Sequence, residues 1–201
     1  VANPAPGTSP ANVAFPLGFF RFDVSGVAAG GATTVSIYPA AGTAVNTSYG
    51  YGVTPENAAP HWYAFLLSGG TGATVLADRI DLRLVDGQRG DADPAVSRIA
   101  FGPGGAGLTP TPWTNPQNRL DMNADGVVTA ADPLVLINEL NASGPRVLPL
   151  VPAAGDVLPP FRDTNWDNRL EALDVLNVIN YLNGATAGGE GEWGGQWSGE
   201  V

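Results

Sequence analysis

From Phe19 to Phe101, hydrophobic and polar positions alternate with a period of two. Phe20, Phe22 and Val24 alternate with Arg21, Asp23 and Ser25; Val35 and Ile37 with Thr34 and Ser36; Ile80, Leu82 and Leu84 with Arg79, Asp81 and Arg83. Successive side chains of a strand point to opposite faces, so each run predicts a half-buried strand. His61-Trp62-Tyr63-Ala64-Phe65 and Arg98-Ile99-Ala100-Phe101 add two more, separated by turns such as Ser68-Gly69-Gly70. Short strands at this spacing predict an antiparallel β-sandwich. Between Gly102 and Gln117 the chain turns to Gly-Pro-Gly-Gly and then Thr-Pro-Thr-Pro-Trp-Thr-Asn-Pro, which suits an extended, stiff connector at a domain boundary. Beyond it the period becomes helical, with Leu134, Ile137 and Leu140 in one segment and Leu176, Ile179 and Leu182 in another. The expected fold class is mainly β with a small α unit. It divides into a sandwich over 1–108, a Pro-rich linker over 109–117, a pair of loop-helix repeats over 118–184 and a Gly/Trp-rich tail over 185–201.

The helical part contains an internal repeat. Residues 121–141 align without a gap on 163–183, an offset of 42, with ten of the 21 positions identical. Identity falls on loop positions 1, 3, 5 and 12 and on apolar positions of the following helix. A hard cation such as Ca2+ takes six to eight oxygens, and side chains at positions 1, 3 and 5, the carbonyl at 7 and a carboxylate at 12 supply them. In the first loop these are Asp121, Asn123, Asp125, the carbonyl of Val127 and Asp132; in the second they are Asp163, Asn165, Asp167, the carbonyl of Arg169 and Asp174. Gly126 provides the sharp turn at position 6, where Asn168 stands in the second loop as a residue tolerant of left-handed backbone. Asp-Asn-Gly clusters also form plain turns, but two loops with the same four oxygen side chains point to calcium. Position 12 is Asp rather than Glu, and no amphipathic helix precedes either loop. Asp132 is expected to cap its helix as well, with Pro133 at the first helical position.

Composition narrows the chemistry further. Gly and Pro make 27 and 18 of 201 residues, and the hydrophobic share of 44% is enough for a core. Without cysteine there are no disulfides, thiolate metal sites or cysteine nucleophiles. The nine cations are all Arg against 19 acids, a net charge of −10, which makes nucleic acid a poor partner. Six of the 13 Asp residues fall in the two loops, where their repulsion is costly unless a cation offsets it. No apolar run approaches the roughly 20 residues of a membrane span. A start on Val1 rather than Met reads as a processed, soluble product. The Pro-rich start, Val1 to Pro10, and the Gly-rich tail, with Trp193 and Trp197, are expected to order only when held against a surface.

From about Asn118 to Gly184, where both loops and the Ile-Asn-x-Leu-Asn helix endings fall, the chain resembles a type I dockerin of the kind found in planctomycete-type secreted proteins. That resemblance implies calcium-dependent folding, two antiparallel helices and docking onto a cohesin-like partner. Many dockerins carry a Ser-Thr recognition pair at loop positions 10 and 11; here they are Ala130-Ala131 and Ala172-Leu173, which points to an apolar or self-directed contact. Residues Gly18 to Gly105 resemble the choice-of-anchor U domain of bacterial surface proteins. The matching pieces are Phe19 to Val24, the aromatic run from His61, and Ile80-Asp81-Leu82-Arg83-Leu84-Val85-Asp86-Gly87-Gln88-Arg89-Gly90-Asp91-Ala92-Asp93 followed by Gly102-Pro103-Gly104-Gly105. This second resemblance implies a β-rich extracellular domain with no assigned catalysis.

Asp86, Asp91 and Asp93 read as turn-forming residues, as a third calcium site or as a catalytic carboxylate pair, the last needing a pocket and a raised pKa. His61, the sole histidine, has no Gly-x-Ser-x-Gly elbow near it and reads as structural. The aromatic run serves strand packing or a sugar surface equally. Asn46-Thr-Ser and Asn141-Ala-Ser fit a glycosylation sequon. No enzyme is expected. Three functions compete: a self-assembling subunit of a filament-like surface or extracellular assembly, an adaptor whose repeats bind a separate cohesin-like protein, and a carbohydrate-binding module or hydrolase accessory. The first is favoured, with Phe15, Phe19, Trp193 or Trp197 expected to be buried against a neighbouring copy.

Overall fold

The computed structural model describes residues 1–54, 56–92, 98–153 and 155–187, with side chains described up to 184. The fold is mainly β, with two small helices. Strands β1 (Phe20–Ser25), β2 (Ala32–Ile37), β3 (Thr47–Thr54), β4 (Asn57–Ala64), β5 (Gly72–Val75), β6 (Ile80–Val85) and β7 (Arg98–Gly107) form two antiparallel sheets. One has the order β1-β7-β3-β4 and the other β2-β6-β5. The alternation read from the sequence sets the faces: Ile80, Leu82 and Leu84 of β6 are fully buried, as is Ile99 of β7, beside Phe101. The inward faces of both sheets share one core. Strand β7 lies against β6 and β3 against β5, so the two orders set edge strand β1 opposite edge strand β2.

The connector predicted from Gly102 begins later than the pattern implied. Strand β7 runs on through Gly102-Pro103-Gly104-Gly105 to Gly107, paired with β1 on one side and β3 on the other. A Cβ on Gly104 would stand 2.8 Å from the Phe101 ring, and one on Gly105 would stand 2.7 Å from the Phe15 ring. Glycine is required here because aromatic rings pack directly on the strand. Residues 109–117 then pack rather than span: Trp113 is fully buried, and Thr114 and Asn115 nearly so. Asn46 fixes this segment through Thr109, whose N–H it accepts at 2.7 Å and whose carbonyl it bonds at 2.8 Å, while also donating to the Leu150 carbonyl at 2.7 Å.

Arg89 closes one end of the core. Its guanidinium donates to the carbonyls of Ala64, Leu66 and Thr71 at 2.8–2.9 Å and lies 5.3 Å from the Phe65 ring centroid. Burial draws its pKa down, with Tyr63 and Glu56 opposing the shift. Arg89→Met takes the guanidinium from all three carbonyls, of which Thr71 keeps the Ser68 N–H and Ala64 the Gln117 side chain, and urea unfolding is expected to show a loss on the order of 3 kcal/mol. A loss under ~0.5 kcal/mol would show that water replaces the guanidinium without cost.

The N-terminal segment is held by its own chain. The Val1 amine donates to the Phe19 carbonyl at 2.7 Å and the Trp62 indole N–H to the Ala5 carbonyl at 3.2 Å. Phe15 and Phe19, expected to require a neighbouring copy, instead pack 5.8 and 5.5 Å from Trp62 on the outer face of β4. Ring stacking within one chain supplies part of their cover, and both remain half buried.

Past Trp113 come helix α1 (Ala131–Ser143), strand β8 (Arg146–Val147), strand β9 (Arg169–Leu170) and helix α2 (Ala172–Ala187). The helices pack on each other and β8 pairs antiparallel with β9. This part joins the sheets at the β5 edge, where Val75 and Leu158 exchange backbone hydrogen bonds at 2.9 and 3.1 Å.

Candidate functional site: the paired Asp/Asn loops

The two loops share most of their hydrogen bonds. Asp121 accepts the Gly126 N–H at 3.0 Å, and Asp163 the Asn168 N–H at 2.9 Å. Asn123 and Asn165 each donate to the Asp two residues on at 2.9 Å. Asp125 accepts the Val127 N–H at 3.0 Å, as Asp167 does that of Arg169 at 2.8 Å. At position 12, Asp132 takes the N–H groups of Met122 and Thr129 at 2.7 and 2.8 Å, and Asp174 those of Thr164 and Glu171 at 2.9 Å each. Asn168 has a φ of 55° where Gly126 has 94°, the left-handed turn expected at position 6. Position 4 is left-handed too, at Ala124 and Trp166, which no composition signal reveals.

The loops differ at their first carboxylate. In Asp163, Oδ1 accepts the N–H groups of Asn165 and Trp166 at 2.9 and 2.8 Å. In Asp121, Oδ1 is buried without any hydrogen-bond partner. A buried carboxylate oxygen with no donor is costly by itself and is the kind of atom a cation would satisfy. The donor set of carboxylates, Asn amides and the carbonyls of Val127 and Arg169 is all oxygen toward a metal and suits a hard cation. Among the described residues, no three His, Asp or Glu side chains converge as a ready cage. Each loop is closed by carboxylate-to-amide bonds.

Burial raises the pKa of Asp121, with the charges of Asp132 and Asp125 adding to the shift and backbone N–H groups opposing it. Asp174 is also raised, by burial first and by Asp163 second. A carboxyl raised above its unfolded value of 3.8 favours the fold below that value and loses this contribution as pH rises through the folded pKa. With chelator present, these two acids therefore add stability as pH falls from neutrality toward 4, whereas any cation held by these carboxylates would compete with protons over the same range. Melting curves at pH 7 and pH 5, with and without chelator, should diverge in that sense.

Two expectations need correction. Asp132 is not the cap of α1: it lies at the second helical position, Pro133 at the third, and the Thr129 hydroxyl accepts the Ala131 N–H at 3.2 Å. The carboxylate is held instead by the loop amides, which outnumber the one N–H a cap position would offer. Leu134 and Leu176, the first members of the two apolar stripes, are 52% and 50% exposed, whereas Leu136 and Val178 are fully buried. The other stripe members, Ile137, Leu140, Ile179 and Leu182, stay packed against the core. Asp86 and Asp91 make the loop hydrogen bonds that the turn-forming reading implies. Asp86 accepts the Gly30 N–H at 2.8 Å, and Asp91 accepts those of Gly87 and Ala100 at 2.9 Å. Oδ1 of Asp86 is buried without a partner, and Asp93 lies outside the described residues.

His61 donates from Nδ1 to the Ala59 carbonyl at 2.9 Å and sits 5.8 Å from Tyr63. Among the described residues no helix is long and apolar enough to cross a membrane. Compared with family models, curated proteins and solved structures, the chain matches none.

Proposed function

We propose that the chain is a non-enzymatic, calcium-binding structural protein of the cell surface or extracellular space, a subunit of a filament-like assembly in which a β-sandwich is followed by a dockerin-like pair of calcium loops. The observation that carries the calcium reading is the duplicated loop, in which five oxygen-bearing positions recur between Asp121–Asp132 and Asp163–Asp174 with similar carboxylate-to-amide bonds, and Asp121 Oδ1 is left buried without a donor. Asp121, Asn123, Asp125, Asp132 and the Val127 carbonyl would hold one ion; Asp163, Asn165, Asp167, Asp174 and the Arg169 carbonyl the other. Bound calcium offsets the repulsion of six clustered carboxylates and ties each loop to its helix.

A second reading, an adaptor for a cohesin-like partner, is favoured by one observation. Leu134 and Leu176 occupy the same repeat position and are both half exposed, so the two helices offer equivalent apolar faces. Calorimetric titration of calcium into chelated protein is expected to show two sites, with one lost in Asp121→Ala and the other in Asp163→Ala. Absence of heat at millimolar calcium would overturn the assignment.

A further inference from the structure

Each exposed sheet edge can template a strand from another chain, and folds usually blunt such edges with charge, proline, bulges or cover. Three of the four edges here are blunted. Edge β1 carries exposed Arg21 and Asp23 and a register shift between Phe20 and Phe22. Edge β4 contains Pro60. Edge β5 is covered by bridges from Leu66 and Leu158. Edge β2 has none of these devices: Ala-Thr-Thr-Val-Ser-Ile is uncharged, pairs with β6 in unbroken register, and among the described residues has no partner on its other side.

The core is also thinnest there. Val35 and Ile37 on the inward face of β2 are only half buried, as are Phe20, Phe22 and Val24 on β1 opposite. An added strand with large apolar side chains on one face would cover both. The chain contains a sequence of that pattern: from Glu192 to Val201 the odd positions hold Trp193, Trp197 and Val201 with only Gly between, and the even positions hold only Glu, Gly, Gln and Ser. That stretch lies outside the described residues. Its period of two is that of a half-buried strand.

We infer that the β2 edge accepts residues 192–201 of a second copy, so that Trp193 and Trp197 close the seam between β1 and β2. The helical unit that precedes this segment joins the sheets at β5, the opposite edge from β2. A donor at one end and an acceptor at the other make a head-to-tail contact that propagates into filaments. This inference rests on the assembly reading above and names its contact.

Two full-length variants test it. Val35→Lys points a charge into the seam and disables the acceptor, while Trp193→Ala/Trp197→Ala disables the donor. In calcium, sedimentation of the unaltered chain is expected to show a concentration-dependent series beyond the dimer. Each variant alone should be monomeric with two calcium sites by calorimetry, and an equimolar mixture should stop at 1:1 dimers. Hydrogen exchange at the β2 amides of the unaltered chain should slow at least tenfold on assembly, a readout that needs no variant to fold. Assembly of either variant like the unaltered chain, a mixture that stays monomeric, or β2 exchange unchanged on assembly overturns this contact and leaves the assembly reading standing. An unaltered chain that is monomeric at every concentration overturns both.

Discussion

Chelation is expected to lower the melting temperature of the intact chain by roughly 8–16 °C for each calcium ion released. The estimate follows from linkage: free calcium a thousandfold above Kd stabilises the native form by ~4.1 kcal/mol per site. Each kcal/mol moves the midpoint of a domain this size by about 2–4 °C. The two loops should respond differently to mutation. Asp121 accepts the Gly126 N–H at 3.0 Å and is held less fully by the backbone than Asp163, so Asp121→Ala should affect the calcium-bound form more than the chelated protein. Asp163 accepts three backbone N–H groups, from Asn165, Trp166 and Asn168, and is fully buried. Asp163→Ala should therefore lower melting with chelator present too. Equal melting with and without chelator, measured by circular dichroism on the unaltered chain, would remove the calcium assignment.

Truncation of Trp113 is expected to be the most damaging single change away from the loops, at about 3–5 kcal/mol, as for other buried Trp-to-Ala substitutions. The ring is fully buried, its indole N–H reaches the Pro149 carbonyl at 2.5 Å, and the Arg162 guanidinium lies 4.7 Å from its centroid. The Trp113 carbonyl also accepts the N–H groups of Arg162 and Asp163 at 2.9 and 3.1 Å, so the residue sets where the second loop begins. Trp113→Ala should thus weaken calcium binding at Asp163 as well as lower the urea midpoint, whereas Trp113→Phe should retain most of the packing. A loss below ~1 kcal/mol for Trp113→Ala would show that residues 109–117 are a connector after all.

The sequence by itself determined the features that depend on neighbours a few positions away. Strands β1, β2 and β6 follow from strict alternation, because a period of two leaves one face to bury. The two loops were legible because their hydrogen bonds run over two to ten residues, so Asp, Asn and Gly at fixed offsets specify the turn with little outside help. Tertiary structure decided the rest. Strand β3 carries glycines at 50 and 52 and small polar Thr47 and Ser48 in its buried half, so its pattern is that of a loop; Gly50 is needed because the Tyr63 ring lies where a Cβ would stand. The glycines of β7 look like a linker until rings from Phe15 and Phe101 are seen packing on them. Which positions of each helix are buried was settled by tertiary packing, which leaves Leu134 and Leu176 half exposed and Leu136 and Val178 fully buried. The orphaned oxygen of Asp121 and the satisfied ones of Asp163 belong to the same residue type at the same loop position. They differ because burial and backbone placement are properties of the packed molecule, and no local pattern encodes them.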